Sequence, residues 1–322
     1  MSIAGRSTQL TKNINMIYLF FLMSIISTSE ADSHIELGDV RWIRSMDEAL
    51  LRSKSECKPI LILFQEVPGC ATCREYGSEV LSHPLIVEAI ETHFIPLAIF
   101  NNKGGHDAEV LKKYNEPSWN NPVVRIVDEK GKDILSRLNG NYSAVGLAEM
   151  MTNVLIKVGG KAPVYLQLLT DELSAKKHGI ETVTYSMHCF WTGEALFGKV
   201  NGVVSTMAGW ENRKEVVKVD YNPSIISKSQ LDKIASQSNC KISSGYDFGM
   251  DKTPKYYLSN HRLRSVPMTE LQKARVNSAI SEGQNAEVNL SPRQLKFAKL
   301  QMKENFVPVN FIDAWDKAEK YL

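Results

Sequence analysis

From residue 59 onward, short apolar runs alternate with segments whose apolar positions recur every three to four residues. "PILILF" (59–64) is continuous, β-branched and closed by Pro68 and Gly69, the pattern of a buried strand. "CATCREYGSEVL" (70–81) has helical spacing through Tyr76, Val80 and Leu81, and "FIPLAIF" (94–100) is a second strand. "VVRIVD" and "KDILSR" flank "EKG" and predict a hairpin. "SAVGLAEMMTNVLIKVG" (143–159) places apolar residues at Val145, Ala148, Met151, Val154 and Leu155 behind a serine that can cap the helix. The predicted order is strand, helix, strand, helix, strand, strand, helix.

"GGKAP" (159–163) breaks the pattern and marks a domain boundary. Beyond it a helix is predicted at "VYLQLLTDELSAKK", a strand at "TVTYSM", a helix at "FWTGEALFGKV" and a strand at "GVVSTMAGW". "EVVKVDY" alternates as a half-buried strand does, and residues 265 to 304 read as mostly helical and polar. At 322 residues the chain exceeds one typical domain. Its expected division is 1–31, 32–160 and 161–322.

The first of these segments carries Arg6 and Lys12 ahead of "MIYLFFLMSII", then "STSEADS" with small residues at Ser29 and Ala31. That order predicts a secretory signal cut after Ala31, and an exported, periplasmic or otherwise extracytoplasmic protein. An uncleaved membrane anchor is the alternative, although the apolar run is shorter than the roughly 20 residues that span a bilayer. Lysines and arginines (38) nearly balance aspartates and glutamates (36), and their scatter argues against nucleic acid as a partner. Five cysteines, Cys57, Cys70, Cys73, Cys189 and Cys240, lie beyond the leader. An odd number in so long a chain points to exchanging thiols instead of a disulfide framework, with Cys57 expected to be a buried structural thiol.

Cys70 stands where a strand gives way to a helix, so unpaired N–H groups and the helix dipole favour its thiolate. Cys73, one turn on, can close a disulfide with little backbone movement, which suits reversible exchange. Zinc would need a second pair of ligands that His83 and His93 do not supply; a static bridge remains the other reading. No metal and no cofactor is expected. The stretch resembles the thioredoxin-like family over residues 38 to 158, with "NNPVVRIVDEKG" similar to its later segment. That resemblance implies a cis-proline, Pro122, facing the cysteine pair. Ala71-Thr72 between the cysteines and "VPG" before them depart from the family's Gly-Pro and tryptophan lead-in.

In "MHCFWTGEALF", Cys189 again stands where a strand meets a helix, and Glu194 lies just over one turn further. Phe190 and Trp191 form an aromatic wall between them. A carboxyl desolvated by such a wall is held protonated as a general acid. Thiolate, acid and pocket together suit reduction of a sulfoxide; a buried cysteine in an ordinary helix is the competing reading.

"CFWTGEALFGKVNGVVSTMAGW" resembles the A-type peptide methionine sulfoxide reductases over residues 180 to 322. The resemblance implies an α/β sandwich, Cys189 as nucleophile, Glu194 as acid, and Phe190 with Trp191 as a methyl pocket. It places Glu215 at the family's strand glutamate and Asp247 of "SGYDFG" at its aspartate. Tyr256 or Tyr257 becomes a hydroxyl donor, and the S-sulfoxide the substrate. His188 and Trp210 depart from the family's glycine and tyrosine, and the glycine-rich, tyrosine-bearing loop before Glu215 is missing.

Attack on a sulfoxide leaves a sulfenic acid that a second thiol condenses to a disulfide. Cys240, the other cysteine of the second domain, is assigned that role, a buried inert cysteine being the competing reading, and Cys70 with Cys73 would reduce the product. The expected fold is thus thioredoxin-like followed by a methionine sulfoxide reductase A-like α/β sandwich. The expected partners are methionine sulfoxide, free or in oxidised proteins, and an upstream, membrane-bound thiol reductant. The alternative is a thiol-disulfide oxidoreductase whose C-terminal domain only binds peptide.

Overall fold

The computed structural model describes residues 34–300 and 302–322, so the predicted leader lies outside the described residues. Residues 34 to 322 form one compact unit. Its first sheet has the order β2-β1-β3-β4, with β1 at Ile60–Gln65, β2 at Ile95–Phe100, β3 at Val123–Val127 and β4 at Leu138–Asn139. β2 runs parallel to β1 and β3 antiparallel to it. Every residue of β1 is buried because helices cover both faces. Ile60, Ile62 and Phe64 point into a core with Met46 and Ala49 of α1 (Met46–Glu56). Leu61 and Leu63 point the other way, into the core formed with the helices that follow β1.

The predicted helix over 70–81 is divided: α2 spans Ala71–Glu75 and a π-type turn follows at Tyr76–Val80. α3 (Pro84–His93), α4 (His106–Tyr114) and α5 (Ala144–Gly159) complete this half, α5 capped by Ser143 as expected. "KDILSR" is not a strand. Asp128 Oδ1 accepts from the N–H groups of Lys130 and Lys132, and the Asp128 N–H donates to the Lys132 carbonyl, closing the turn. Only a bridge between Val127 and Asp133 precedes the true pairing at Leu138–Asn139.

α6 (Val164–His178) leads into a second sheet of order β8-β5-β7-β6-β9, all neighbours antiparallel. Its strands are β5 (Glu181–Ser186), β6 (Val203–Glu211), β7 (Lys214–Tyr221), β8 (Lys241–Ile242) and β9 (Gly249–Met250). The hairpin between β6 and β7 is a two-residue turn, Asn212-Arg213, at φ 49° and 64°. Both residues adopt the left-handed conformation that the twist of a tight hairpin demands. α7 (Phe190–Gly198) packs on this sheet, and α8 (Lys228–Gln237), α9 (Tyr256–Ser259), α10 (Glu270–Ser281), α11 (Pro292–Lys299) and α12 (Phe311–Glu319) follow.

The two halves share a core: Leu85, Ile86 and Ile90 of α3 cluster with Leu166 and Leu169 of α6, Phe297 of α11 and Trp315 of α12. Glu88 of α3 accepts from Ser291 Oγ and from the Arg293 N–H, both at 2.6 Å. Several polar residues of 265–304 are inside, Gln272, Lys273, Asn277 and Gln294 among them. Gln272 and Gln294 each close a capping box, then exchange side-chain amide bonds at 2.8 Å with neither exposed.

Candidate active site

Cys70 is the exposed N-cap of α2 and Cys73 is buried one turn later, both free thiols, with Cys70 Sγ donating to Cys73 Sγ at 3.6 Å. The Cys73 N–H, directed at the Cys70 sulfur, lowers the Cys70 pKa from its ordinary value. Burial pushes the Cys73 thiol up to about 12. Cys73 Sγ donates to Asn121 Oδ1 at 2.8 Å, and the Asn121–Pro122 peptide is cis. Gly69 has no room for a side chain: a Cβ there would run into the Glu66 carbonyl and lie 2.7 Å from the Cys73 Cβ. Ligand atoms of Glu66, Cys70 and Cys73 lie within 4.8 Å of one another, three of the four that tetrahedral zinc takes.

The second site is built where β5 hands over to α7. Cys189 is the N-cap of α7 and half-buried. Glu215 of β7 accepts from the Phe190 N–H at 2.8 Å, so a carboxylate caps the helix beside the thiol. Phe190 is buried against Trp191, their ring centroids 5.5 Å apart. Trp210 closes edge-on over Phe190 at 5.0 Å, and Tyr256 stacks on Trp191 at 3.9 Å. Gly193 admits Met187 beneath the helix, since a Cβ there would collide with the Met187 sulfur.

Glu194 is fully buried, as the pocket argument requires, but an aromatic wall is not its only neighbour. The Lys255 N–H donates to Glu194 Oε2 at 2.8 Å, and Lys255 Nζ lies 3.4 Å from Oε1. Lys255 sits at φ 51°, a conformation that turns its backbone N–H and its side chain toward the same carboxyl.

Asp247 does not join the site; it is exposed at φ 57° on the loop before β9. Asp251 takes the place beside the wall, accepting from Trp191 Nε1 at 3.1 Å. Cys240 is buried in the core beneath the sheet with Tyr185 and Phe197, and burial raises its pKa. The β5–β8 register pairs Ser186 with Lys241, which brings Cys240 alongside the end of β5, three residues in sequence from Cys189 to Ser186. Cys57 is exposed, not buried, because it ends α1 in the left-handed C-cap position at the surface. Nothing in the spacing of "KTPKYYLSN" marked Lys255.

The first sheet carries a cysteine pair at a helix start, and the second a cysteine at the N-cap position of α7 with a buried carboxyl on the same helix. Residues 41–129 match the family model described as Thioredoxin-like. The chain is similar to peptide methionine sulfoxide reductases: it is 35% identical to that of Methanococcus maripaludis strain C6 over 68 residues, 16% of this chain and 43% of the relative. It is 29% identical to that of Escherichia coli O157:H7 over 125 residues, 34% of this chain and 56% of the relative. The chain thus spans about half the length of the curated relatives it matches. Among solved structures it is similar to a thioredoxin from Thermus thermophilus, with a TM-score of 0.33 and 20% identity, covering 38% of this chain and 91% of that one. The N-terminal fold is thioredoxin-like, and among the described residues no helix is long and apolar enough to cross a membrane.

Proposed function

We propose that the chain is an exported peptide-methionine (S)-S-oxide reductase carrying its own dithiol donor, with a thioredoxin-like domain over 32–160 and the reductase domain over 161–322. The observation that carries this reading is a half-buried cysteine at the N-cap of α7 with a fully buried carboxyl one turn along and a wall of four aromatic rings beside it. Methionine sulfoxide, free or in oxidised proteins, places its methyl group against Phe190 and Trp191. Cys189 takes the oxygen as a sulfenic acid, Cys240 condenses with it to a disulfide and releases water, and Cys70 attacks that disulfide with Cys73 completing the exchange. Electrons return to the dithiol from an external thiol reductant, which we place in the membrane of the compartment to which the leader directs the chain.

Purified protein given a chiral methyl sulfoxide and dithiothreitol should turn over the S epimer. Cys189→Ser should abolish turnover, and the Cys70→Ser/Cys73→Ser variant should retain it with this small reductant. Turnover by Cys189→Ser at the parent rate would end the proposal. The two-residue hairpin at Asn212-Arg213 favours a second reading, a disulfide oxidoreductase with a peptide-binding C-terminal domain. That reading expects no sulfoxide turnover at all, with exchange lost in Cys70→Ser.

A further inference from the structure

The segment 251–256 makes three separate contacts with the second site. Asp251 holds the Trp191 indole N–H, Tyr256 covers the Trp191 ring, and Lys255 meets Glu194 with two donors. The Lys255 side chain is 5% exposed and Glu194 not at all, so the contact is closed to water. Lys255 Nζ also donates to the Thr206 carbonyl of β6, which fixes the ammonium between strand and helix. Thr206 Oγ1 beside that carbonyl is buried and without a partner. A buried lysine needs acceptors around it, and the Glu194 carboxyl and the Thr206 carbonyl supply them. In this chain the β6–β7 hairpin is too short to bring donors to the site, and the segment 251–256 reaches it instead.

We propose that Lys255 is a positioning residue of oxygen removal, orienting the Glu194 carboxyl and neutralising it as it gives up its proton; the inference rests on the reductase reading above. In the step, the Cys189 thiolate takes the oxygen as a sulfenic acid while the substrate's S–O bond breaks and the sulfide keeps the electron pair. One proton passes to the transferred oxygen from the Glu194 carboxyl, which regains it through the half-buried Cys189 side of the pocket once the sulfide has left. The Cys189 sulfur is oxidised by two electrons and the substrate sulfur is reduced by two. A carboxylate left alone in a buried site would oppose that transfer, and the adjacent ammonium removes the opposition.

The test is a double-mutant cycle on the first turnover of fully reduced full-length protein, with a chiral methyl sulfoxide, no added reductant, and sulfide as the product scored. Lys255→Met should slow the first turnover by at least about 100-fold, the scale of a positioned proton donor, while the sulfoxide concentration that half-saturates that rate stays within about threefold. Glu194→Gln should do the same, and the double variant should be no slower than Glu194→Gln by more than about threefold. Lys255→Gln replaces Lys255→Met in the cycle if the latter lacks a cooperative melt. Equal losses in both backgrounds would show a merely structural lysine and overturn the proposal, as would an unchanged rate in Lys255→Met. If the parent protein makes no sulfide, or Cys189→Ser makes it equally fast, the reductase reading itself fails and takes the inference with it.

Discussion

Reduced protein treated with iodoacetamide at pH 7 should lose Cys70 long before Cys73. With its pKa pushed to about 12, Cys73 has a thiolate fraction of roughly 10⁻⁵ at that pH. Cys70 lies below its ordinary value of 9.0, so more than about 1% of it is thiolate. The ratio is at least about a thousandfold, and complete burial of Cys73 slows the reagent further. Timed acid quenching followed by peptide mass spectrometry reads both sites, with exposed Cys57 as the internal accessible thiol. Comparable rates at the two cysteines, or Cys73 reacting first, would refute the assignment of Cys70 as the attacking sulfur.

Two further predictions concern the joint between the halves. Burial lowers His83 from 6.5 to about 4, and its Nδ1 has no partner, so the unfolded chain takes up a proton that the folded one refuses. Stability should be full above pH 6.5 and fall by about 2 kcal/mol between pH 7.5 and 5 in urea denaturation, a slope that His83→Phe removes. Burial raises Glu88 above its ordinary 4.5, so its contribution has the opposite slope, complete below that pH and lost as pH rises through the folded value. Glu88→Gln should flatten that dependence, and Glu88→Ala, which strands Ser291 and the Arg293 N–H, should cost about 1–3 kcal/mol in the same assay.

The elements that were legible are those whose residues report their own surroundings. β1 is a single apolar run because both faces of its sheet are covered, and α5 announces its start through Ser143 and its buried face through Val145, Ala148 and Met151. The helix at 70–81 has the right spacing, yet the π-type turn at 76–80 depends on Gly77 packing against the backbone of Ile35 and Glu36, which no local pattern records. The stretch 265–304 is helical as its pattern predicts, at Glu270–Ser281 and Pro292–Lys299, but the pattern does not tell which of its polar residues are inside. Gln272, Asn277 and Gln294 look like solvent-facing residues, but each is buried against a specific acceptor or donor contributed by a distant turn. A side-chain amide reads the same in either setting, and only tertiary structure decides whether water or another amide satisfies it.

The candidate site divides along the same line. Cys189, Phe190, Trp191 and Glu194 fall within six consecutive positions, so helical geometry alone brings them together, and their association could be drawn from spacing. Lys255 reaches Glu194 across 61 positions through a left-handed residue, and Asp251, not Asp247, reaches Trp191 across 60. Sequence could show that the hairpin after Trp210 was too short to carry donors, because a two-residue turn has no room for them. It could not show what stood in their place, since a lysine in a polar loop is ordinarily solvated and gives no local sign of burial. If the ammonium and the carboxyl work as a unit, the chemistry of this chain depends on a contact between two segments, each of which looks unremarkable without the other. The cycle that pairs Lys255→Met with Glu194→Gln measures that dependence directly, because the coupling energy vanishes when either partner acts alone.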